Sequence, residues 1–278
     1  MGPYKQTKVR LVLLLVLGAA SPAKGAFEHT SLAPMNVATG LMVVNGSLQT
    51  TGTLNDPASI VQMTTPQMCL SWGNRFGLKA LLHQSAAVSY PLSTFHLGLG
   101  TTRFGNSLYQ ETTLTFLAGK RVKPLLDVGL AITLYQLFIK NYSSQSTLGI
   151  TIASRLRLGE ELEWSTTLHN VNNPHLRPYR EPLPQVITTG VSYVPAPRIK
   201  TILEWEQDLE YPGRAKFGIL CHPFRWLRFA LGYAANPGQV TGGVELSFVH
   251  FSLDYAATTH AQLGLSHWLG LGFNFPEP

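Results

Sequence analysis

Alternation constrains this chain more than any other feature. From Gln67 onward it breaks into runs of roughly ten residues in which large apolar side chains take every second position. Residues 227–234 set Leu227, Phe229, Leu231 and Tyr233 against Arg228, Ala230 and Gly232. Residues 249–258 set Phe251, Leu253, Tyr255 and Ala257 against Ser252, Asp254 and Ala256. The last run sets Leu269, Leu271, Phe273 and Phe275 against Gly270, Gly272 and Asn274. Side chains point alternately to the two faces of a strand, so each run reads as a strand with one apolar and one small or polar face.

Strands are expected at 67–77, 81–91, 94–102, 107–118, 124–138, 145–157, 160–170, 185–194, 199–208, 214–221, 226–234, 239–247, 249–258 and 264–275. A soluble sandwich would alternate too. Aromatics near strand ends, small residues on the polar face and unequal connections favour a membrane barrel instead. With both termini periplasmic, the longest connection, 171–184, falls at an extracellular end, while 158–159, 195–198 and the turn at His250 are short. The expected fold is all-β, an antiparallel transmembrane β-barrel of about 14 strands built by residues 67–278.

Composition agrees. Charged residues are 13% of the chain, against about 25% in an ordinary soluble domain. Lys5, Lys8 and Arg10, the apolar run Leu11 to Ala20, and Ala23 and Gly25 before Ala26 read as an export signal over residues 1–25. No later stretch has 18 consecutive apolar residues. Four of the 21 Lys+Arg (Lys5, Lys8, Arg10, Lys24) lie in the signal, leaving 17 − 15 = +2 for the exported chain. The basic balance therefore implies no nucleic-acid partner. Cys69 and Cys221 are expected to be unpaired, on strands far apart around the barrel. Residues 26–66 are rich in Thr, Asn, Ala, Met and Pro and lack alternation, so they are expected as a compact N-terminal segment and not as barrel wall.

Charges fall on the face opposite the large apolar residues. Arg155, Arg157, Glu161, Glu163, Glu204, Glu206, Asp208, Lys216, Glu245 and Asp254 form a candidate lumenal ladder. A Lys or Arg facing lipid at the bilayer midplane costs about 2–4 kcal/mol, which turns such groups inward. Arg155 and Arg157 are expected to face Glu161 and Glu163; Glu204, Glu206 and Asp208 are expected to face Lys216. The groups either line a water-filled path or satisfy one another in a plugged interior, and small residues on that face favour the second. Catalysis finds no support. Ser266 and His267 are adjacent, as are His169 and Asn170, so each pair is expected to split between opposite faces. No metal-binding or phosphate-loop motif is present, and no cofactor is expected.

Several segments resemble the PorV/PorQ family of outer-membrane proteins, relatives of the FadL-type transporters. They are Gly105-Asn-Ser-Leu-Tyr-Gln-Glu111, Leu168-His-Asn170, Leu183-Pro184 followed by Gly190-Val-Ser-Tyr193, and Leu253-Asp-Tyr-Ala256 with His260, Leu263-Gly-Leu-Ser-His267 and Phe275. The resemblance implies a fourteen-stranded barrel in the bacterial outer membrane with residues 26–66 as its N-terminal hatch, or plug, bearing Asn55-Asp56-Pro57-Ala58. It also implies a non-enzymatic component of protein secretion or surface attachment, type IX secretion-like. Its partners would be outer-membrane lipid and secreted cargo or other secretion components, met by the loop bearing Asn172, Asn173, His175, Arg177 and Arg180. The alternative is a FadL-like transporter of hydrophobic small molecules.

Overall fold

The computed structural model describes residues 26–44, 49–142, 144–176 and 181–276, the side chain of Glu181 excepted; the expected export signal lies outside them. Among these residues, fourteen strands close an antiparallel barrel in which each strand pairs with its neighbours in sequence and β1 (Gln67–Asn74) pairs with β16 (Gly264–Asn274). The others are β2 (Leu82–Pro91), β3 (His96–Gly105), β4 (Tyr109–Lys123), β5 (Leu126–Ile139), β6 (Gln145–Arg157) and β7 (Leu162–His169). After the loop come β10 (Val186–Ala196), β11 (Ile199–Asp208), β12 (Arg214–Phe224), β13 (Leu227–Ala234), β14 (Gln239–Ser247) and β15 (Phe251–His260). The remaining two, β8 (His175–Leu176) and β9 (Glu181–Pro182), make a small hairpin within the long connection.

Several strand ends shift by a few residues from expectation, two of them for evident local reasons. Strand β1 stops at Asn74 because Phe76 takes a left-handed φ of 56° in a 3₁₀ turn. Strand β4 runs on to Lys123, through a register shift between Arg121 and Lys123, before turning at Pro124–Leu125. One rim of the barrel carries short turns of this kind and the other carries the 170–185 connection.

The alternation becomes an inside and an outside. Leu231, Phe251 and Leu271 stay 66%, 52% and 42% exposed, while Ala230, Ala256 and Trp268 of the same wall are buried. The outer face is thus predominantly apolar, the arrangement a strand barrel needs in lipid. Its core is inside the lumen. Helix α1 (Pro34–Ala38) brings Met35, Val37 and Ala38, with Met42, against Ile202, Leu220, Ala230, Ala256 and Trp268. Leu32, Leu54, Ile60, Val61 and Met63 pack on Ala87, Leu117 and Ala131. Ala26 and Phe27 meet Tyr135, Leu137, Leu176 and Leu183. The N-terminal segment therefore plugs the barrel, and glycines on the wall let it in. A Cβ on Gly129 would overlap the backbone of Pro57–Ala58, and one on Gly232 the backbone of Thr39–Gly40.

Candidate functional site

The plug is held by charge as well as by packing. Arg155 reaches in from β6, and its Nη2 donates to Asp56 Oδ2 at 3.0 Å, both side chains about 2% exposed. Burial pushes the Asp56 carboxyl up from its ordinary range, and the Arg155 guanidinium opposes that shift. Glu163 lies 4.0 Å from both Arg155 and Lys200, and Gln62 of the plug donates to it at 3.3 Å. Across the lumen, Lys216 Nζ donates to Glu204 at 2.8 Å, Glu206 at 2.7 Å and the Leu41 carbonyl at 2.9 Å. Glu204 in turn accepts the Val43 and Val44 N–H groups at 2.8 Å each. The wall supplies charges, and the plug supplies the backbone and side-chain groups that satisfy them.

The expected ladder needs correction in three places. Glu161 is exposed, ahead of β7, and is not on the ladder; Arg157 instead pairs with Asp127, which also accepts from Arg121 at 2.8 Å. Asp208 does not meet Lys216: it caps the Glu210 N–H at 3.0 Å on the rim. Asp56 and Asp127 belong to the network and were not expected there. Near the short-turn rim, Glu245 accepts from Arg228 at 2.9 Å and faces the buried Asp254 across the β14–β15 pair.

Two cavities lie beneath and at the long-loop rim. The inner one, about 70 Å³, is lined by Phe27, Leu54, His83, Phe104, Glu111, Tyr135 and His169. The outer one, about 710 Å³, opens between strand ends and is lined by Pro184, Val186, Tyr211, Pro212, Pro237 and Ala261, with Glu206, Asp208, Arg214 and His260. Glu28 and His29 line both and form the partition. Three contacts hold that partition. Phe27 packs edge-on against Tyr135 at 5.0 Å, Glu28 pairs with Arg75 at 2.6 Å, and His29 lies 4.5 Å from the His169 ring. Burial, the dominant cause, lowers the His29 pKa from its ordinary 6.5. Phe27 sits at φ 60°, a left-handed conformation that costs a bulky residue about 1–3 kcal/mol and persists only where neighbours over-determine it.

Ser266 and His267 do split between faces: Ser266 accepts the Phe76 N–H inside, and His267 bonds Tyr255 outside. The expectation for His169 and Asn170 is corrected. Asn170 has a φ of 55°, which turns it inward, so the Tyr135 hydroxyl meets His169 Nε2 at 3.0 Å and Asn170 Oδ1 at 3.1 Å.

The long connection is held by its own hydrogen bonds. Asn172 accepts the Ile150 N–H and donates to the Leu148 carbonyl, both at 2.8 Å, covering the free edge of β6 beyond the end of β7. His175 Nδ1 lies 2.7 Å from the Asn173 carbonyl, while Leu176 and Leu183 are buried on Phe27 and Tyr135. Asn172, Asn173 and His175 thus serve the loop's own fold as it closes over the lumen; Arg177 and Arg180 lie outside the described residues.

No family model matches this chain, and neither does any curated protein. Solved structures do. The CymD monoaromatic hydrocarbon channel superposes with a TM-score of 0.70 over 89% of this chain and 98% of its own, at 11% identity. The Ralstonia pickettii toluene transporter TbuX gives 0.71 over 90% and 100%, at 12% identity. A Pseudomonas aeruginosa FadL homologue gives 0.63 over 91% and 100%, at 9% identity. At such identities the likeness is one of fold: a fourteen-stranded FadL-like barrel. These neighbours are channels and transporters, which overturns the expected secretion and attachment role and favours its alternative.

Proposed function

We propose that this protein is a bacterial outer-membrane channel for small hydrophobic molecules, with residues 26–66 as its hatch and residues 67–278 as its barrel. The observation that carries this reading is the inner cavity, where Phe27, Leu54, Phe104 and Tyr135 stand among Thr102, Thr113, Thr115 and Thr133, divided from the outer cavity by the strained segment at Phe27–His29. An apolar cavity of about 150 Å³ accepts benzene, so the inner space of about 70 Å³ is closed to an aromatic solute as it stands. The outer cavity, about 710 Å³, has ample room. Displacing Phe27 would merge the two and admit a solute among Phe104, Tyr135 and the plug. The short-turn rim is assigned to the periplasm and the long-loop rim to the cell exterior, as in outer-membrane barrels generally. The names of the structural neighbours support the same class of solute.

The test is uptake. Cells lacking other hydrocarbon channels and producing this barrel should take up labelled toluene faster than cells without it, and a hydrophilic solute of similar size should not follow. Tethering the partition by a Phe27→Cys, Tyr135→Cys pair should abolish the gain until reductant is added. Equal toluene uptake with and without the barrel would sink the proposal.

A further inference from the structure

The lipid-facing wall is not uniformly convex. A groove of about 660 Å³ crosses β4 to β7 on the outer surface. Register explains it. Lys120, Val128, Ser154, Thr166 and Thr189 are direct cross-strand neighbours, forming one row around the outside from β4 to β10. Four inter-strand spacings make this row about 19 Å long. The next row on one side holds Leu130, Ile152 and Leu168. The groove is a trench floored where side chains are short, at Ala118, Ser154 and Thr166, and walled by Leu130, Ile152 and Leu168 along one side with Lys120 and Phe95 at one end. Its hydroxyls are turned on one another, with Thr166 and Thr189 3.0 Å apart and Trp164 Nε1 donating to Thr189 at 2.8 Å.

At the β4 end of the trench stands Lys120, its ammonium 4.8 Å from the Phe95 ring centre in the turn after β2. Among the described residues this ammonium has no carboxylate partner. A lipid-facing lysine is costly at the midplane and nearly free at the interface. Lys120 lies three residues from the short-turn end of β4, beside Phe95, an aromatic of the kind found in the girdle at a membrane interface. A lysine so placed can lay its stem along apolar surface and hold its charge at the headgroup level.

We propose that this trench holds one glycerophospholipid of the periplasmic leaflet, an acyl chain lying along the row and the phosphate on Lys120. An apolar trench fits a chain, and an unpaired cation at its interfacial end fits a phosphate. Neither feature is used by the lumenal path, so the site stands apart from the transport reading.

The experiment is native mass spectrometry, with lipid extraction, on the full-length barrel purified from outer membranes in mild detergent. Wild type is expected to retain about one phospholipid per barrel. One cation near a lipid surface changes affinity about fivefold, so Lys120→Ala should lower retention by about that factor and Lys120→Glu further. Filling the trench with Ser154→Leu and Thr166→Leu should remove the lipid while leaving Lys120 in place. These leucines face lipid, so the barrel's heat-dependent gel mobility should be unchanged. Lys140→Ala, at the opposite rim, should retain it. Wild type without phospholipid, wild type with only lipid A, or equal retention in the Lys120 and filled variants would overturn the site.

Discussion

Asp56 and Arg155 are each about 2% exposed, so neither charge has water to fall back on. Removing one partner of such a pair leaves the other buried and uncompensated, at a cost of about 3–5 kcal/mol. Arg155→Ala should therefore loosen the plug around Pro57–Gln62, and limited proteolysis of intact outer membranes from the periplasmic side should cut there faster than in wild type. The double variant Arg155→Ala, Asp56→Asn should recover much of the protection, because no charge is then stranded. Unchanged proteolysis of Arg155→Ala would show that the pair does not hold the plug. At this scale the sequence was partly legible. The cost of a lipid-facing charge placed Arg155, Glu204 and Lys216 inward, where they lie. It could not find Asp56 as the partner, because residues 56 and 155 share no element and no period. It also missed Asn170, since a single left-handed φ reverses a side chain without leaving a mark on the alternation.

Strands and plug differ sharply in how far they can be read. A strand repeats its environment every second residue, so alternation plus turns located every barrel strand, and the ends slipped most where Phe76 or a bulge in β4 or β12 broke the repeat. The plug has no such repeat. Its residues touch wall positions from Ala87 to Trp268, and each contact is set by the barrel's curvature. Its lack of alternation marked it off from the wall, and the small-residue face of the wall left room for it. That face can be tested at Gly129, where any Cβ meets the Pro57–Ala58 backbone. Gly129→Leu should displace the 3₁₀ turn (Pro57–Gln62), at about the 1–3 kcal/mol of an overpacked core. Planar-bilayer recordings should then show flickering ion conductance absent from wild type. The outward neighbour Val128→Leu should behave as wild type, and conductance of the same size in that variant would point to the wall instead of the plug.

A closed barrel's width follows from its strand number. Fourteen strands about 4.8 Å apart and tilted about 40° enclose a backbone cylinder of about 28 Å diameter. Eight-stranded barrels fill themselves with side chains, and larger ones leave a channel, so a barrel of this width stays empty unless something else occupies it. Here that filler is the N-terminal segment, whose Met35, Val37, Met42, Ile60 and Val61 are buried against the wall. The wall's own integrity does not depend on it, since every strand pairs on both sides by backbone hydrogen bonds. Deleting residues 26–63 should therefore leave a barrel that still shows heat-dependent gel mobility and now conducts as an open aqueous pore. The lumenal groups Arg155, Glu204 and Lys216 would take up water in place of the plug. Large, steady single-channel currents are the expected result. A deletion variant that folds but does not conduct would mean that the wall collapses inward without its filler, and the plug would then be part of the barrel's architecture and not a gate.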